Sequence, residues 1–363
     1  MRILLTGGGT AGHIIPNIAI ADRLKGRNAD ILYIGSKNDI DRELVRTNHI
    51  KFEAIHTGKL RRYMSILNLV DIFKIPIGFL QSVRIINKFK PDVIFSKGGY
   101  VAVPVVLAGA LLRKKIVIHE SDANPGLATK ITGSFAEKIL TSYEDTGKFF
   151  SKRKRKKVLH VGTPIRDGIL DGNKKTGYEL TGFNDGRPVI LAMGGSLGAV
   201  KINNTLWSAM TQLIPRYQII HICGHGKSGK VLSNFLLDKL QESYIEFEYV
   251  NEQLADLYAI TDVVISRAGA NSLAEIEALG LPAVIVPLPS KNTRGDQEQN
   301  AKYFRQKDQR RHKIIKNENF TSKNLVAAIE EVSAFKRRPT NKEIYESPTK
   351  EIVKILMSYG DRS

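Results

Sequence analysis

The arrangement that most constrains the fold of this chain is an apolar run followed by a glycine turn and a helical pattern, and it occurs twice. Residues 3–10 read ILLTGGGT and residues 190–197 read ILAMGGSL. Elsewhere, short apolar runs alternate with longer amphipathic stretches, and this alternation is typical of parallel βαβ units. Because the runs are continuously apolar, the pattern favours sheets that are covered on both faces.

Strands are predicted at the apolar runs Ile3–Thr6, Ile31–Ile34, Val93–Phe95, Ile116–His119, Val189–Met193, Gln218–Ile222, Val263–Ser266 and Ala283–Pro287. The length of 363 residues is too great for one ordinary domain and fits two. The sequence therefore predicts an α/β chain of two Rossmann-like domains. Glycine and proline in residues 160–167 (HVGTPIRD) indicate the boundary between a domain at 1–163 and a domain at 164–340. A helix predicted within 341–363 is expected to pack back on the first domain.

The composition is that of a globular protein, with 42% hydrophobic and 25% charged residues. Cys223 is the single cysteine, so an internal disulfide is impossible and a reducing cytoplasm is expected. The N-terminal apolar run is too short for a secretory signal. We find no run of about 18 apolar residues, so we expect no membrane-spanning segment.

The net charge of +19 is concentrated in the first half of the chain. Residues 1–163 contain 28 Lys+Arg and 13 Asp+Glu, whereas the remainder contains 27 and 23. A strongly basic half favours an anionic partner, which can be a phosphorylated substrate, an anionic membrane surface or nucleic acid. Nucleic acid is disfavoured because the basic run at 152–157 (KRKRKK) has no interleaved aromatic residues.

The segment Ile66–Phe89 is unusually apolar and is punctuated by cations at Lys74, Arg84 and Lys88. Three more cations precede it, at Lys59, Arg61 and Arg62. Two interpretations stay open: a helix buried in the core, or an exposed surface that docks on a membrane through Ile75, Ile77, Phe79 and Leu80. Pro76 is expected to kink any helix there.

The first glycine turn, Gly7–Gly12, spells GxGxxG between a strand and a helix. This spelling suits an anionic ligand, and a dinucleotide is the first candidate. A dinucleotide site also needs an acidic residue at the end of the second strand, where this chain has Tyr33–Ser36 (YIGS). The second glycine turn, Gly194–Gly198, is followed by a strand that ends in residues 222–224 (ICG). Neither strand end has an acidic residue, and this disfavours a nicotinamide enzyme.

His13 directly follows the first glycine turn. A helix N-terminus lowers the proton affinity of a histidine, which suits a neutral base that takes a hydroxyl proton. The alternative is a capping or loop histidine. Gly98–Tyr100 and His119–Asp122 follow two other predicted strands, and the carboxyl ends of parallel strands meet in one crevice. We therefore expect these three groups to lie at one site.

The second half has two further candidates, SRAGANSLAE at 266–275 and GDQEQNA at 295–301. Glu275 can accept hydrogen bonds from two ribose hydroxyls, although a helix-capping acid is the alternative. The amides and acids of 295–301 suit sugar hydroxyls. Asp39–Asp41 has the DxD spelling of metal-dependent glycosyltransferases, but it opens a helix predicted at Asp41–Thr47, where acids are favourable anyway. We expect no metal and no cofactor, because no Cys/His cluster has zinc spacing.

Seven motifs together resemble the MurG family of peptidoglycan N-acetylglucosaminyltransferases. They are GGGTAGHIIPNIAIA (7–21), SKGGYVAVP (96–104), HESDANPGLATK (119–130), VGTPIRD (161–167), GGSLGA (194–199), SRAGANSLAEI (266–276) and GDQEQNA (295–301). The resemblance implies the GT-B architecture, in which two Rossmann-like domains have parallel sheets that face each other across a cleft. It also implies an inverting transfer that needs no metal.

The resemblance implies roles for individual residues. His13 is the candidate catalytic base. Those implied to bind UDP-N-acetylglucosamine are Thr10, Ala11, Gly12, Arg166, Ser196, Asn251, Ala270, Asn271, Ser272, Glu275 and Gln297. The acceptor-side candidates are Gly98, Gly99, Tyr100 and His119. Two positions depart from the family pattern: Asp122 stands where members with HEQN have asparagine, and Asp296 stands where some have glutamine.

The implied partners are UDP-N-acetylglucosamine, an undecaprenyl-linked muramyl-pentapeptide and the anionic inner membrane surface, without nucleic acid. The implied location is peripheral, at the cytoplasmic face of the cell membrane. A related GT-B enzyme that glycosylates diacylglycerol is the main alternative, and the motifs of the first half disfavour it. A UDP-sugar epimerase on the same fold is a further alternative, although it would not use a basic, apolar acceptor-side surface.

Overall fold

The computed structural model describes residues 1–58, 66–184, 186–195, 199–228, 242–290, 295–339 and 347–360. Within these ranges, the structure describes only the backbone of Ala11, Ile40, residues 66–73 and Asp167. The chain forms two compact units. One comprises Met1–Arg166 with the C-terminal segment Glu346–Ser363, and the other comprises Asp167–Tyr345. Each unit has a parallel sheet with helices, which confirms the predicted α/β class.

The first unit contains a seven-stranded parallel sheet in the order β3-β2-β1-β4-β5-β6-β7. Its strands are β1 (Arg2–Thr6), β2 (Asp30–Ser36), β3 (Lys51–Ile55), β4 (Val93–Ser96), β5 (Lys115–Glu120), β6 (Lys138–Thr141) and β7 (Val158–His160). In the centre, Leu4 of β1 lies opposite Leu32 of β2 and Ile94 of β4. The strand order reverses between β1 and β4, and ligands of such sheets bind beyond the carboxyl ends of the strands at this point.

Helices cover both faces of this sheet. They are α1 (Ala11–Leu24), α2 (Asp39–Thr47), α3 (Ile66–Phe89), α4 (Ala102–Leu111), α5 (Leu127–Thr132) and α6 (Lys152–Arg155). Leu4 packs on one face with Val105 of α4, while Ile3 and Leu5 pack on the other face with Ile14 of α1. Complete burial of each such side chain contributes about 1.5–3 kcal/mol to folding.

The second unit contains a six-stranded parallel sheet in the order β10-β9-β8-β11-β12-β13. Its strands are β8 (Val189–Met193), β9 (Gln218–Ile222), β10 (Tyr244–Phe247), β11 (Val263–Ser266), β12 (Ala283–Ile285) and β13 (His312–Ile314). Its helices are α7 (Lys174–Thr181), α8 (Val200–Leu213), α9 (Leu254–Ile260), α10 (Ala270–Ala278), α11 (Asp296–Lys307) and α12 (Ser322–Ser333). The order reverses between β8 and β11, so a second switch point lies here.

The last helix, α13 (Pro348–Met357), belongs to the first unit. Pro348 at its first position has the backbone angle that starts a helix. Ile352 and Leu356 pack in the same core cluster as Ile3, and the Thr349 hydroxyl donates a hydrogen bond to the Ile165 carbonyl at 2.8 Å. The part of the predicted C-terminal helix at 341–346 lies outside the described residues.

Each predicted strand is present, with ends that differ by no more than two residues. The strands absent from the prediction are β3, β6, β7, β10 and β13. They are short, and most carry charged or polar side chains that interrupt the apolar pattern. Helix α2 begins at Asp39, two residues earlier than predicted, and α3 continues through Pro76 as one helix. The basic run at 152–157 contains the helical turn α6.

Candidate active site

The first glycine turn is held in place by Asp41, which is 1% exposed. Its carboxylate accepts hydrogen bonds from the Gly9 N–H at 3.2 and 3.3 Å, from the Ser36 N–H at 3.1 Å and from the Ser36 hydroxyl at 2.6 Å. The DxD spelling at Asp39–Asp41 therefore has a structural explanation within the first unit: one acid orients the turn that follows β1, and the other begins α2.

Neighbouring protein atoms leave no room for a Cβ at two glycines of this turn. A Cβ on Gly8 would lie 2.3 Å from the Asp41 carboxylate. Gly9 has φ of +83°, and a Cβ there would lie 2.3 Å from the Tyr100 ring. The first glycine turn and the turn at Gly98–Tyr100 are thus packed directly on each other, which confirms that the sheet edge brings them together.

His13 lies in the first turn of α1, beside the same glycines. Its Nδ1 is 2.9 Å from the Thr10 hydroxyl oxygen. A Cβ on Gly99 would lie 3.5 Å from this nitrogen, so the imidazole packs on the turn at Gly98–Tyr100. When Nδ1–H donates to Thr10, the lone pair is on Nε2, and this is the tautomer that a general base needs. Thr10 and Gly12 are exposed at the start of α1.

His119 is buried at the end of β5 and has partners for both ring nitrogens. Its Nε2 lies 2.9 Å from the Gly162 carbonyl, and its Nδ1 lies 2.9 Å from the ammonium of Lys97. Nε2–H therefore donates, and Nδ1 accepts. Burial, followed by the charge of Lys97, holds the pKa of His119 well below its usual value. His119 is neutral and positions neighbouring groups through the hydrogen bonds of its ring.

Lys97 is the residue of this site that sequence reasoning missed. It directly follows β4 and is 2% exposed. Its ammonium donates to His119 and to the Ser121 hydroxyl. Burial lowers the pKa of Lys97 to about 8, although the carboxylates of Glu120 and Asp122 oppose this shift. The available signal was a lysine between an apolar strand and two glycines, a position where a solvated side chain is not expected.

The 119–126 loop is fixed by Glu120, which is 7% exposed. Its two carboxylate oxygens accept hydrogen bonds from the N–H groups of Asp122 and Gly126, each at 3.0 Å. Helix α5 begins directly after this loop. The predicted neighbourhood of His13, Gly98–Tyr100 and His119–Asp122 is thus built from three strand ends of one sheet.

Arg166 is half-buried and ends the chain segment that follows β7. This segment is attached to the first unit twice: through the Gly162 carbonyl on His119, and through the Ile165 carbonyl on Thr349. Gly162 has φ of +85°, and a Cβ there would lie 2.8 Å from Pro348.

In the second unit, α10 begins directly after β11 and the turn at Gly269. Ala270 is buried, and Asn271 and Ser272 are half-buried. Glu275, one turn further, is 7% exposed and accepts a hydrogen bond from the Tyr258 hydroxyl at 3.4 Å. Tyr258 thus orients the carboxylate that was predicted to bind a ribose.

Gln297 lies in the first turn of α11, next to the loop that follows β12. Its Oε1 accepts a hydrogen bond from the Leu288 N–H at 3.0 Å. The side chain therefore offers its NH₂ group to a ligand and uses its oxygen to hold the loop. Glu298 holds the same loop through the Ser290 N–H at 3.3 Å.

The remaining donor-side candidates lie elsewhere in the second unit. The Asn251 carbonyl accepts from the Leu254 N–H at 3.3 Å at the start of α9. Gly194 and Gly195 follow β8, but Ser196 lies outside the described residues. Among the residues that the structure describes, no group of three or more His, Cys, Asp or Glu side chains is placed to hold a metal ion. The same residues include no helix that is both long and apolar enough to cross a bilayer.

Two family models match the chain. Residues 3–141 match the Glycosyltransferase family 28 N-terminal domain, and residues 189–356 match the Glycosyltransferase family 28 C-terminal domain. Among curated relatives, one from Legionella pneumophila (strain Lens) is 49% identical over 302 residues, which cover 83% of this chain and 81% of the relative. One from Bacillus cereus (strain ATCC 10987 / NRS 248) is 43% identical over 349 residues, covering 96% and 94%.

The Legionella relative carries the name UDP-N-acetylglucosamine–N-acetylmuramyl-(pentapeptide) pyrophosphoryl-undecaprenol N-acetylglucosamine transferase, and the Bacillus relative carries the same name with the number 2. Among solved structures, MurG of Acinetobacter baumannii has a TM-score of 0.71 at 23% identity, covering 98% of this chain and 99% of that one. UDP-GlcNAc 2-epimerase from Neisseria meningitidis, bound to UDP-GlcNAc, has a TM-score of 0.65 at 13% identity and covers all of both chains. At these identities the structural likeness concerns the fold.

Two parallel α/β units with glycine turns at their switch points, and the two family 28 domains, define a UDP-sugar-dependent glycosyltransferase of the GT-B class. The sequence identity of 43–49% to curated relatives, over most of the chain, identifies the family more narrowly. The chain belongs to the MurG family of N-acetylglucosaminyltransferases.

Proposed function

We propose that the chain transfers N-acetylglucosamine from UDP-N-acetylglucosamine to the 4-hydroxyl of undecaprenyl-pyrophosphoryl-N-acetylmuramyl-pentapeptide. The product is the complete lipid-linked disaccharide precursor of peptidoglycan. The observation that carries this proposal is the 49% identity over 302 residues to a relative named for this reaction. The alternative epimerase function has support only from likeness of fold.

The acceptor half of the reaction is assigned to the first unit. In the proposed step, the acceptor hydroxyl attacks the anomeric carbon of the donor from the face opposite UDP, so the configuration inverts. His13 Nε2 takes the hydroxyl proton while Thr10 holds Nδ1. The Tyr100 ring and the Gly98–Gly99 turn pack against the groups that position this base.

The donor half is assigned to the second unit and to Arg166. Glu275, oriented by Tyr258, accepts from the ribose hydroxyls, and the Gln297 NH₂ donates to the N-acetylglucosamine. The leaving UDP gains negative charge on its diphosphate. The N-terminus of α8, which follows the second glycine turn, stabilises that charge in place of a metal. The resemblance to the family also assigns the guanidinium of Arg166 to the donor phosphates.

Metal independence and inversion are tested together. Transfer is measured after exhaustive treatment with EDTA, and the anomeric configuration of the new linkage is determined by NMR. We expect full activity without metal and a product of configuration opposite to the donor. Loss of activity that Mg²⁺ or Mn²⁺ restores would contradict a metal-free mechanism, and a retained configuration would contradict inversion.

Replacing Gln297 with Ala is expected to raise KM for UDP-N-acetylglucosamine by about tenfold, because a donor to the sugar and the hydrogen bond to Leu288 are both lost. Steady-state kinetics with each substrate varied checks this result. Glu298→Ala is the matched control, since it removes only the neighbouring hydrogen bond to the loop. Unchanged donor binding in the Gln297 variant would contradict the assigned role.

We further propose that the first unit docks peripherally on the cytoplasmic face of an anionic membrane. Within the described side chains of α3, Ile77 is 46% exposed and Leu80 is 66% exposed. Arg84 and Lys88 on the same helix are exposed cations. Near an anionic leaflet each basic residue contributes about 1 kcal/mol, and buried apolar area adds to this attraction.

The structure corrects one part of this surface. Phe79, expected from the sequence to dock on lipid, packs against the core cluster that contains Leu4 and Ile86. Ile75 is half-buried. The two interpretations of this segment therefore apply to different faces of one helix. Lys59, Arg61 and Arg62 lie outside the described residues.

The double variant Ile77→Ser and Leu80→Ser is expected to weaken binding to vesicles that contain anionic lipid by about tenfold, with little change in thermal stability. Co-sedimentation at rising salt checks this, and the parent is expected to dissociate as salt rises. Tyr178→Ser, which removes an exposed aromatic ring of the second unit, is the control. A parent that ignores anionic vesicles would contradict the docking proposal.

A further inference from the structure

Lys97 is a buried cation at the switch point of the first sheet. Its backbone N–H donates to the Thr6 carbonyl at 2.9 Å, which places it directly beside the first glycine turn. Its ammonium reaches across to the 119–126 loop and donates to His119 and Ser121. One side chain thus connects the end of β4 with the loop that follows β5.

The charge of that loop explains why a cation is needed there. Residues 119–126 (HESDANPG) contain two carboxylates and neither lysine nor arginine. The Glu120 carboxylate is held by two N–H groups of the loop itself. Asp122 adds a second negative charge close enough to act on the Lys97 ammonium. A diphosphate that approached this loop would be repelled by Asp122 unless a neighbouring positive charge offset it.

We propose that Lys97 is a positioning residue for the anionic acceptor. Its ammonium fixes the 119–126 loop and offsets the Asp122 carboxylate, so that a diphosphate can bind beside the first glycine turn. This inference rests on the proposed function, which supplies an acceptor with a diphosphate. It also accounts for Asp122, the departure from the family pattern that the site otherwise leaves without a role.

Acceptor binding is expected to depend on pH through the charge of Lys97. With a pKa of about 8, Lys97 is charged below this pH and becomes neutral above it. The titratable groups that face it are His119, Glu120 and Asp122, with His160 beside His119 and His13 beside the turn at Gly98–Tyr100. His119 stays neutral in this range, because its pKa is held well below the usual value. Acceptor binding therefore weakens as pH rises through about 8.

The test compares the parent with Lys97→Met, with Lys97→Met/Asp122→Asn, and with Lys115→Met. Lys115 is the matched control: it lies on neighbouring β5 and is exposed, with a surface ion pair to Glu137 at 2.7 Å. KM for the muramyl-pentapeptide lipid and for UDP-N-acetylglucosamine is measured from pH 6.5 to 9.5.

We expect Lys97→Met to raise the acceptor KM by about tenfold or more and to leave the donor KM within about twofold. The double variant should recover most of this loss, because the carboxylate that Lys97 offsets is gone. The rise in acceptor KM above pH 8 should be present in the parent and in Lys115→Met, and absent in Lys97→Met. Since both Lys97 variants lack the same buried side chain, their difference reports the charge rather than the fold.

An unchanged acceptor KM in Lys97→Met would overturn the proposal. So would equal rises in both KM values, or a double variant no better than the single one. A parent that transfers nothing to the muramyl lipid would overturn the proposed function itself, an outcome visible before any variant is made.

Discussion

Replacing His13 with Ala is expected to lower kcat by at least tenfold, toward the roughly 10²–10⁴-fold that a positioned general base supplies. The expectation follows from the geometry at the start of α1, where Thr10 holds Nδ1 of the imidazole at 2.9 Å. In the proposed step, the proton of the acceptor hydroxyl goes to Nε2 as the new glycosidic bond forms and the bond to UDP breaks. The affinity for UDP should stay nearly unchanged, because His13 is assigned to the acceptor hydroxyl and not to the nucleotide.

Two variants separate the chemistry of His13 from its packing. His13→Gln keeps a polar side chain without a comparable base and should lose as much kcat as His13→Ala. Thr10→Val keeps the imidazole but removes its hydroxyl partner, and it should lose less. Single-turnover rates and UDP binding by calorimetry provide the measurements. Activity equal to that of the parent in His13→Ala would assign the deprotonation to another group or to solvent.

Replacing Asp41 with Ala is expected to destabilise the first unit by about 3 kcal/mol, because the Gly9 and Ser36 N–H groups lose a charged acceptor at a buried position. For a unit of this size, that loss corresponds to a fall of about 6–12 °C in the unfolding midpoint. Transfer activity should fall as well, because the glycine turn beside His13 is no longer held.

Asp39→Ala is the matched control for Asp41→Ala. Asp39 is exposed in the first turn of α2, where an acid contributes only about 0.3–1 kcal/mol. The structure therefore predicts a large effect at Asp41 and a small one at Asp39. Equal losses of activity in both variants, with rescue by a divalent cation, would instead support a DxD metal site.

The architecture could be predicted from the sequence because the central strands are continuously apolar and are followed by glycines. β1 and β8 lie at the centres of their sheets, where burial on both faces imposes this pattern. The outer strands β3, β7, β10 and β13 lie at sheet edges. Their burial is partial, so charged residues are tolerated and the pattern is lost.

At the site, the sequence indicated which loops meet but not how their side chains are paired. Asp41 and Lys97 are both charged, and composition assigns such residues to the surface. Each is buried because long-range partners are available: Gly9 is 32 positions from Asp41, and His119 is 22 positions from Lys97. Such partners are fixed by the order of strands in the sheet, which local patterns do not specify.

The sequence also did not show which face of α3 packs on the core and which face is exposed. Apolar residues occur on all sides of this helix, so periodicity does not distinguish Phe79 from Leu80. Packing does, since Phe79 contacts the core cluster and Leu80 is 66% exposed.

The central claim is tested most directly by transfer of labelled N-acetylglucosamine from the UDP-sugar to undecaprenyl-pyrophosphoryl-N-acetylmuramyl-pentapeptide. The purified chain is incubated with both substrates in EDTA, with diacylglycerol as the competing acceptor and UDP-glucose as the competing donor. The account predicts label in a lipid-linked disaccharide only with UDP-N-acetylglucosamine and the muramyl acceptor. Label on diacylglycerol, or conversion of the UDP-sugar to its 2-epimer without transfer, would contradict it.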